Sequence, residues 1–256
     1  MKANRVKQLL REGKSTCGTW VSLASPVGAE VMGMQGFDWL LIDMEHSPVD
    51  YQTLSNQLLA LAPSESVPFV RVPWNDAAEI KRVLDLGALG IMVPGISTVE
   101  DAKRAVAACK YPPEGIRGVA SVRAARYGQD PNYLKEANGQ VMVIAQIEMR
   151  EAVQDVERIL DVPGIDCAFI GPADLSATLG HLGDAAHPDV QAAIAKVEKA
   201  AKARKIPLGS VSTSWDVAKG LYDKGYQVVS VMSDIRFLFQ ACKAVLENFN
   251  KAAGRV

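Results

Sequence analysis

Short apolar segments alternate eight times with segments of helical periodicity, and this alternation restricts the fold more than any other feature of the chain. The predicted strands cover residues 18–23, 39–46, 67–73, 90–95, 141–148, 165–172, 207–212 and 227–234. The apolar residues between them recur at helical spacing. Strict alternation of this kind is typical of parallel strands joined by right-handed crossovers.

Chain length favours closure of these strands into a barrel. The chain has 256 residues, and (β/α)8 barrels usually need about 250. An open doubly wound sheet is the alternative, but no Gly-x-Gly-x-x-Gly motif follows the first strand. We therefore predict an α/β fold, a (β/α)8 TIM barrel that forms one domain over residues 1–256. An extra helix over residues 4–13 precedes the barrel, and a last helix begins at Ile235.

The charge balance excludes several classes of partner. Lys plus Arg number 28 and Asp plus Glu number 29, which gives a net charge of −1. General nucleic-acid and membrane-surface binders carry a basic excess, and no apolar run approaches the ~20 residues of a membrane span. The four cysteines show no Cys-x-x-Cys spacing, and the N-terminal segment lacks the apolar core of a secretory signal. We expect a cytoplasmic protein with reduced thiols.

Two of the apolar strands stop at a carboxylate. Glu148 ends the fifth predicted strand, and Asp174 follows the sixth. Active-site residues of TIM barrels gather at the C-terminal ends of strands, and oxygen ligands suit hard divalent cations. The pair therefore indicates a metal site. The alternative is that both acids are salt-bridged to Arg71, Arg117 or Arg123.

Other strand ends carry groups suited to proton transfer and oxyanion binding. His46 follows the second strand and could take and return a proton, or could only make a hydrogen bond at the rim. Arg71 ends the third strand and could stabilise an enolate-type oxygen, pair with the acids, or do both. Asp85 lies on the apolar side of a helix and needs a partner. That partner could be His46 or a backbone amide.

Three further features narrow the function. No lysine ends an apolar strand, so an imine-forming mechanism lacks its nucleophile, and no nucleophile elbow or P-loop is present. Carbanion chemistry would therefore rely on a metal. His181 and His187 fit surface or helix-start positions. The long segment over residues 114–140 has no regular pattern, and segments of that length are usually functional.

Five ordered motifs resemble one enzyme family. The segments DWLLIDMEHSP, VRVPWND, YPPEGIRGV, QIEMREAV and FIGPADLSATLG are similar to motifs of the metal-dependent, pyruvate-specific class II aldolases. That family includes aldolases for 4-hydroxy-2-oxoheptanedioate and for 2-dehydro-3-deoxyglucarate. The likeness runs from about Gly18 to about Phe249. Met44 departs from the glycine usual at its position, and we expect it to narrow the mouth of the pocket.

The resemblance implies a TIM barrel and a role for each candidate residue. The implied roles are metal ligands Glu148 and Asp174 for Mg²⁺, Mn²⁺ or Co²⁺; a His46–Asp85 general-base dyad; Arg71 at the keto oxygen; and amides around Ala173 and Asp174 at the pyruvate carboxylate. We also count Gln146, near the end of the fifth strand, among the substrate-binding residues. The resemblance further implies a hexamer in which the C-terminal helix is exchanged between subunits.

The expected reaction is reversible cleavage of a 4-hydroxy-2-oxo acid. Its products would be pyruvate and an aldehyde such as tartronate semialdehyde or succinate semialdehyde. The partners would be these small molecules, with no nucleic acid and no membrane. Residues 118–129 are expected to help select the aldehyde, in the same chain or across a subunit boundary. The alternatives are an acyl-CoA lyase of the citramalyl- or malyl-CoA kind and a non-catalytic barrel that binds a small oxo acid.

Overall fold

Eight parallel strands close into a barrel, as the sequence predicts. The structure is a computed structural model that describes residues 3–255. Each strand pairs with the next along the chain, and the first pairs with the last. The strands are β1 (Thr16–Val21), β2 (Trp39–Asp43), β3 (Val67–Arg71), β4 (Gly90–Val93), β5 (Met142–Ile147), β6 (Cys167–Ile170), β7 (Leu208–Ser212) and β8 (Val228–Ser233).

Helices connect the strands and surround the barrel. They are α1 (Arg5–Arg11), α2 (Pro26–Gly33), α3 (Tyr51–Ala60), α4 (Ala77–Asp85), α5 (Val99–Cys109), α6 (Tyr133–Gln140), α7 (Arg150–Gln154), α8 (Val156–Leu160), α9 (Pro172–Thr178), α10 (Pro188–Arg204), α11 (Trp215–Asp223) and α12 (Asp234–Ala252). None of the described helices is both long and apolar enough to cross a membrane. We call the two ends of the barrel the C-terminal mouth and the N-terminal mouth, after the strand ends that form them.

Side-chain caps fix where several helices begin. Asp50 accepts a hydrogen bond from Thr53 N at the start of α3. Thr98 and Asp101 form a capping box at the start of α5. Such caps satisfy amides that have no partner inside a helix. They therefore set the length of the loops that leave the C-terminal mouth.

Large aromatic side chains fill the barrel interior. The rings of Trp39 and Phe69 stack with centroids 5.6 Å apart, and both side chains are fully buried. Glycines on neighbouring strands make room for them: a Cβ at Gly18 would lie 2.0 Å from the Trp39 ring, and one at Gly90 would lie 2.3 Å from the Phe69 ring. A second, larger apolar layer packs between the strands and the helices.

Helix α1 covers the N-terminal mouth. Val6 is fully buried in the cluster that fills the barrel interior. The Asn4 side-chain amide donates to Leu89 O and to Gln140 O, both at 2.9 Å. The predicted extra N-terminal helix is therefore part of the core of the barrel.

The segment predicted to be irregular is partly helical and lies away from the predicted site. It contains a 3-10 helix (Arg123–Gly128) and α6. It leads from α5 into β5, so it lies at the N-terminal mouth. Arg123 there donates to the carbonyls of Leu58 and Leu86, at the ends of α3 and α4. Residues 118–129 therefore do not line a pocket at the C-terminal mouth of their own chain, and a role across a subunit boundary stays a prediction.

Two smaller differences concern segments next to the predicted site. Helix α9 begins directly after β6 and was not predicted; its start at Pro172 matches the preference of proline for the first helical turn. Met44 does not narrow the mouth of the pocket. Its side chain is buried in the apolar layer between strands and helices, because successive side chains leaving a strand point to opposite faces.

Candidate active site

An arginine–aspartate pair links two neighbouring strand ends at the C-terminal mouth. Asp43 and Arg71 are register partners in β2 and β3. Arg71 Nε donates to Asp43 Oδ1 at 2.9 Å and Nη2 donates to Oδ2 at 2.8 Å. Burial alone would raise the pKa of Asp43, but the hydrogen bonds and charge of Arg71 outweigh it and lower that pKa. The pair is a fixed, two-pronged ion pair of the kind in which arginine geometry matters most.

The rest of the Arg71 guanidinium faces other groups of the site. Its Nη1 lies 2.9 Å from Glu45 Oε2, an oxygen that is buried without a well-aligned hydrogen bond. Its Cζ lies 4.4 Å from the centroid of the Trp20 ring. Asp43 holds one side of the guanidinium, so the Nη1 side remains for other oxygens. Arg71 is thus both a rim partner and a candidate oxyanion group, the combination allowed for by the sequence.

Asp43 was missed as a functional residue at the sequence level. Its Oδ1 accepts the backbone amide of Glu45 at 3.1 Å and that of His46 at 3.4 Å. This turn fixes the segment that presents both residues at the mouth. Its position in the sequence could have identified it, because Asp43 ends an apolar strand just as Arg71 ends the next one.

Glu148 is buried within a small polar cradle. Its Oε1 accepts the Gly95 amide at 2.9 Å, and its Oε2 accepts the side-chain amide of Gln146. A Cβ at Gly171 would lie 2.7 Å from Glu148 Oε2, so any larger residue would displace the Glu148 carboxylate. Burial raises the pKa of Glu148, the Gly95 amide opposes this, and the charges of Asp174 and Glu45 raise it further.

Asp174 stands at the same mouth on the first turn of α9. It is exposed, and its charge raises the pKa values of both Glu148 and Glu45. Burial is the main cause that raises the pKa of Glu45, opposed by the charges of Arg71 and His46. The first amides of a helix have no intrahelical partner, and those of Ala173 and Asp174 are among them. We call Glu45, Glu148 and Asp174 the rim acids.

The alternative in which arginines neutralise Glu148 and Asp174 does not hold within residues 3–255. Of the three arginines considered, Arg71 pairs with Asp43 and Glu45, Arg117 pairs with Asp85, and Arg123 binds carbonyl oxygens. Neither Glu148 nor Asp174 has an ion pair in the described chain. Two carboxylates that follow adjacent strands thus remain without a cationic partner in the part of the chain that the structure describes. A buried carboxylate in that state, such as Glu148, favours a proton or a bound cation.

His46 and Asp85 do not form a dyad within the chain. His46 lies at the C-terminal mouth, its side chain is 64% exposed, and its Nε2 lies 3.9 Å from Glu45 Oε2. Asp85 ends α4, and because helices run antiparallel to the strands, that end lies at the N-terminal mouth. There Asp85 accepts a hydrogen bond from Arg117 Nη2 at 2.8 Å. The two residues therefore do not meet within one chain, and a His46–Asp85 dyad stays a prediction that would need two copies of the chain.

The strand ends, the Arg71–Asp43 pair and the rim acids can be compared with known proteins. A family model described as HpcH/HpaI aldolase/citrate lyase matches residues 16–241. The chain belongs to this family. It is 43% identical over 253 residues to a 4-hydroxy-2-oxo-heptane-1,7-dioate aldolase of Shigella flexneri, which covers 98% of this chain and 94% of the relative.

Two further HpcH/HpaI relatives show the same level of similarity. A hydroxypyruvate/pyruvate aldolase of Paraburkholderia phytofirmans is 43% identical over 251 residues, covering 95% of this chain and 96% of the relative. A solved structure from Burkholderia cenocepacia J2315, an HpcH/HpaI aldolase/citrate lyase family protein, superposes with a TM-score of 0.94. It is 43% identical and covers 96% of this chain and 99% of its own.

Membership of the HpcH/HpaI family makes the chain a carbon–carbon lyase of the aldolase type. The residues that meet at the C-terminal mouth all lie inside the matched segment. Of the sequence-predicted set, the structure brings together His46, Arg71, Gln146, Glu148, Ala173 and Asp174. It leaves Asp85 apart, and it adds Asp43, Glu45 and Gly171.

Proposed function

We propose that the chain is a class II, divalent-metal-dependent aldolase that reversibly cleaves a 4-hydroxy-2-oxo acid into pyruvate and an aldehyde. One observation carries this proposal: within residues 3–255, Glu148 and Asp174 have no cationic partner, and the same mouth holds Arg71, whose Nη1 faces Glu45 and not Asp43. The first group suits a cation, and the second suits a developing oxyanion.

The residues present fit a divalent ion. Glu148 and Asp174 offer oxygen ligands, the amide oxygen of Gln146 is buried without a hydrogen-bond partner, and Gly171 leaves the space beside Glu148 free of side-chain atoms. Carboxylate ligands suit Mg²⁺, Mn²⁺ or Co²⁺. When bound, the ion supplies Lewis-acid stabilisation of a 2-oxo acid as negative charge builds on its oxygens.

Arg71 holds the oxygen on which charge develops. Asp43 fixes its guanidinium from one side, so the group does not need to reorient during the reaction. The amides of Ala173 and Asp174 on the first turn of α9 receive the substrate carboxylate, as helix N-termini do for anions. Gln146 positions the substrate beside Glu148.

His46 acts as the general base for the 4-hydroxyl proton. In the cleavage direction it accepts the proton of the 4-hydroxyl, the C3–C4 bond breaks, and a carbonyl forms on the departing aldehyde. The electron pair of the broken bond stays on the pyruvate fragment as an enolate, which then takes a proton at C3. Glu45, whose Oε2 lies 3.9 Å from His46 Nε2, stabilises the imidazolium that forms.

Pyruvate release from a panel of 4-hydroxy-2-oxo acids tests the activity directly. The panel includes substrates that yield succinate semialdehyde and tartronate semialdehyde. We expect release that stops after exhaustive chelation and returns with Mn²⁺, Co²⁺ or Mg²⁺. Full activity without any ion would refute the metal. Release of free coenzyme A from citramalyl- or malyl-CoA, with no activity on the panel, would indicate the acyl-CoA lyase instead.

We also propose that α12 is exchanged between subunits of a hexamer. Its outer residues form one apolar stripe that is exposed in the single chain, formed by Leu238, Phe239, Val245, Leu246 and Phe249. An exposed stripe of this size indicates a protein interface. Light scattering should give a hexamer for the wild type and smaller species for Leu246→Glu. The exposed Lys243→Glu change is the control, and a monomeric wild type would refute the proposal.

A further inference from the structure

Three potential metal ligands converge in the connection between α9 and α10, apart from the rim acids. His181 Nε2 lies 3.1 Å from Asp189 Oδ2, and His187 Nδ1 lies 3.7 Å from the same oxygen. The ligand atoms of all three residues lie within 4.8 Å of one another. We call these residues the histidine cluster. Among residues 3–255 it is the one group of three or more His, Cys, Asp or Glu side chains that converges so closely.

Local structure brings the cluster together. The His181 amide donates to Ser176 O, the Asp184 amide donates to His181 O, and the His187 amide donates to Asp184 O. These successive turns place the imidazole of His181 on that of His187, with ring centroids 3.4 Å apart and planes 14° from parallel. His187 is also the N-cap of α10 and accepts the Asp189 amide at 3.2 Å.

Two of the three ligand separations are close to those around one ion. Metal–nitrogen and metal–oxygen bonds of about 2.1 Å place tetrahedral ligand atoms roughly 3.4 Å apart. The two observed separations, 3.1 and 3.7 Å, lie on either side of that value. The imidazoles are partly exposed. Turning His187 out of the stack, with release of the Asp189 amide from its Nδ1, directs both nitrogens to one point. The position facing solvent is left for water.

We propose that the histidine cluster is a second metal site, for a borderline divalent cation such as Zn²⁺, Ni²⁺ or Cu²⁺. Two imidazole nitrogens and one carboxylate oxygen favour these ions over Mg²⁺, which prefers oxygen ligands. The site therefore differs in chemistry from the all-oxygen site of the rim acids. An ion here ties the end of α9 to the start of α10, and α9 carries Asp174 on its first turn.

Calorimetric titration with ZnCl₂ tests the site in a tag-free Glu148→Gln/Asp174→Asn chain, in which the other site has lost both carboxylates. We expect one Zn²⁺ per chain and no heat with MgCl₂. Adding His181→Gln should weaken Zn²⁺ binding about tenfold or more, since losing even a group that only supports a ligand costs 10–100-fold. The chain has three histidines, so His46→Gln in the same background is the matched control and should leave the titration unchanged.

Thermal melting provides a second measurement that does not depend on activity. Zn²⁺ should raise the Tm of the background chain, because a ligand that binds the native state stabilises it. The rise should disappear with His181→Gln and remain with His46→Gln. Absence of Zn²⁺ binding in the background chain, or equal binding with and without His181, would overturn the proposal. Either result leaves the aldolase proposal untouched, because both rim ligands are already removed.

Discussion

The two mouths of the barrel differ in whether their charged side chains are paired. At the N-terminal mouth opposite charges are paired: Lys7 Nζ lies 2.8 Å from Asp166 Oδ1, and Arg117 Nη2 lies 2.8 Å from Asp85 Oδ1. At the C-terminal mouth Arg71 is paired, but Glu148 and Asp174 have no ion pair within residues 3–255. One mouth therefore stabilises the fold, and the other leaves negative charge available for binding.

This division agrees with the general behaviour of TIM barrels, in which chemistry occurs at the C-terminal ends of strands and the other end serves stability. Two carboxylates of the C-terminal mouth illustrate what a two-pronged arginine partner changes. Burial and the neighbouring charges of Asp174 and Glu45 raise the pKa of Glu148, whereas Arg71 lowers the pKa of Asp43 on the same rim. Substitutions at the two mouths should consequently have different readouts.

The largest effect should come from Glu148→Gln. Removing one of two carboxylates from the proposed metal site should lower kcat/KM for aldol cleavage by roughly 10³-fold or more, since a bound ion supplies several kcal/mol of transition-state stabilisation. Steady-state pyruvate release measures this. The exposed neighbour Glu151→Gln is the control and should keep the wild-type rate. A Glu148→Gln enzyme within tenfold of wild type would remove Glu148 from the site.

Arg71→Lys should have the next largest effect. Lysine cannot reproduce the two-pronged bond to Asp43 and also offer a fixed donor to substrate, so we expect kcat to fall about 10²-fold. The exposed Arg104→Lys change is the matched control. If kcat is kept while KM rises, Arg71 contributes to ground-state binding and not to the enolate.

At the other mouth, Arg117→Met should affect stability. It leaves Asp85 without its partner, and breaking a buried pair costs about 3 kcal/mol or more, which corresponds to a Tm lower by roughly 6–12 °C. Arg158→Met removes an exposed pair and should change stability by less than about 1 kcal/mol. The pH profile of kcat should stay unchanged. A shift in that profile would indicate that Asp85 acts on His46 of another copy.

The smallest effect concerns pH and Glu148 itself. The pKa of Glu148 is raised in the folded state. As the pH rises past the ordinary carboxyl pKa, Glu148 therefore loses its proton first in the unfolded state. The free energy of unfolding falls over that pH range. Metal-free Glu148→Gln should therefore melt higher than wild type at pH 7, by something on the order of 2 °C. The difference should vanish below about pH 4, where both states are protonated. Equal melting at pH 7 in chelator would contradict the raised pKa.

The sequence predicts the parts of this molecule that follow from periodicity. Continuous apolar runs predict β5 and β6 as strands buried on both faces. The carboxylates that follow two parallel strands must lie at the same mouth, so the sequence could place Glu148 and Asp174 together. Asp85 could not be placed relative to His46 in this way, because it ends a helix whereas His46 follows a strand. A helix of the barrel runs back toward the N-terminal mouth. The end of α4, which carries Asp85, therefore lies about one barrel length from the C-terminal mouth, where His46 is.

The geometry of turns was the second part of the structure that the sequence could not predict. The stacking of His181 on His187 depends on three successive backbone hydrogen bonds, and no local pattern in the sequence specifies all three. The cradle around Glu148 likewise depends on the amide of Gly95 and the bare backbone of Gly171, which meet only when three strands are side by side.

Helix α1 affects how small molecules enter and leave the barrel. Val6 and the aromatic side chains fill the barrel interior, so small molecules should reach and leave Glu148 through the C-terminal mouth. If the proposed cleavage takes place there, the fragment nearer the opening should depart first. The fragment that Arg71 is proposed to hold should depart last, and it should therefore compete with fresh substrate for the empty protein, whereas the outer fragment should not.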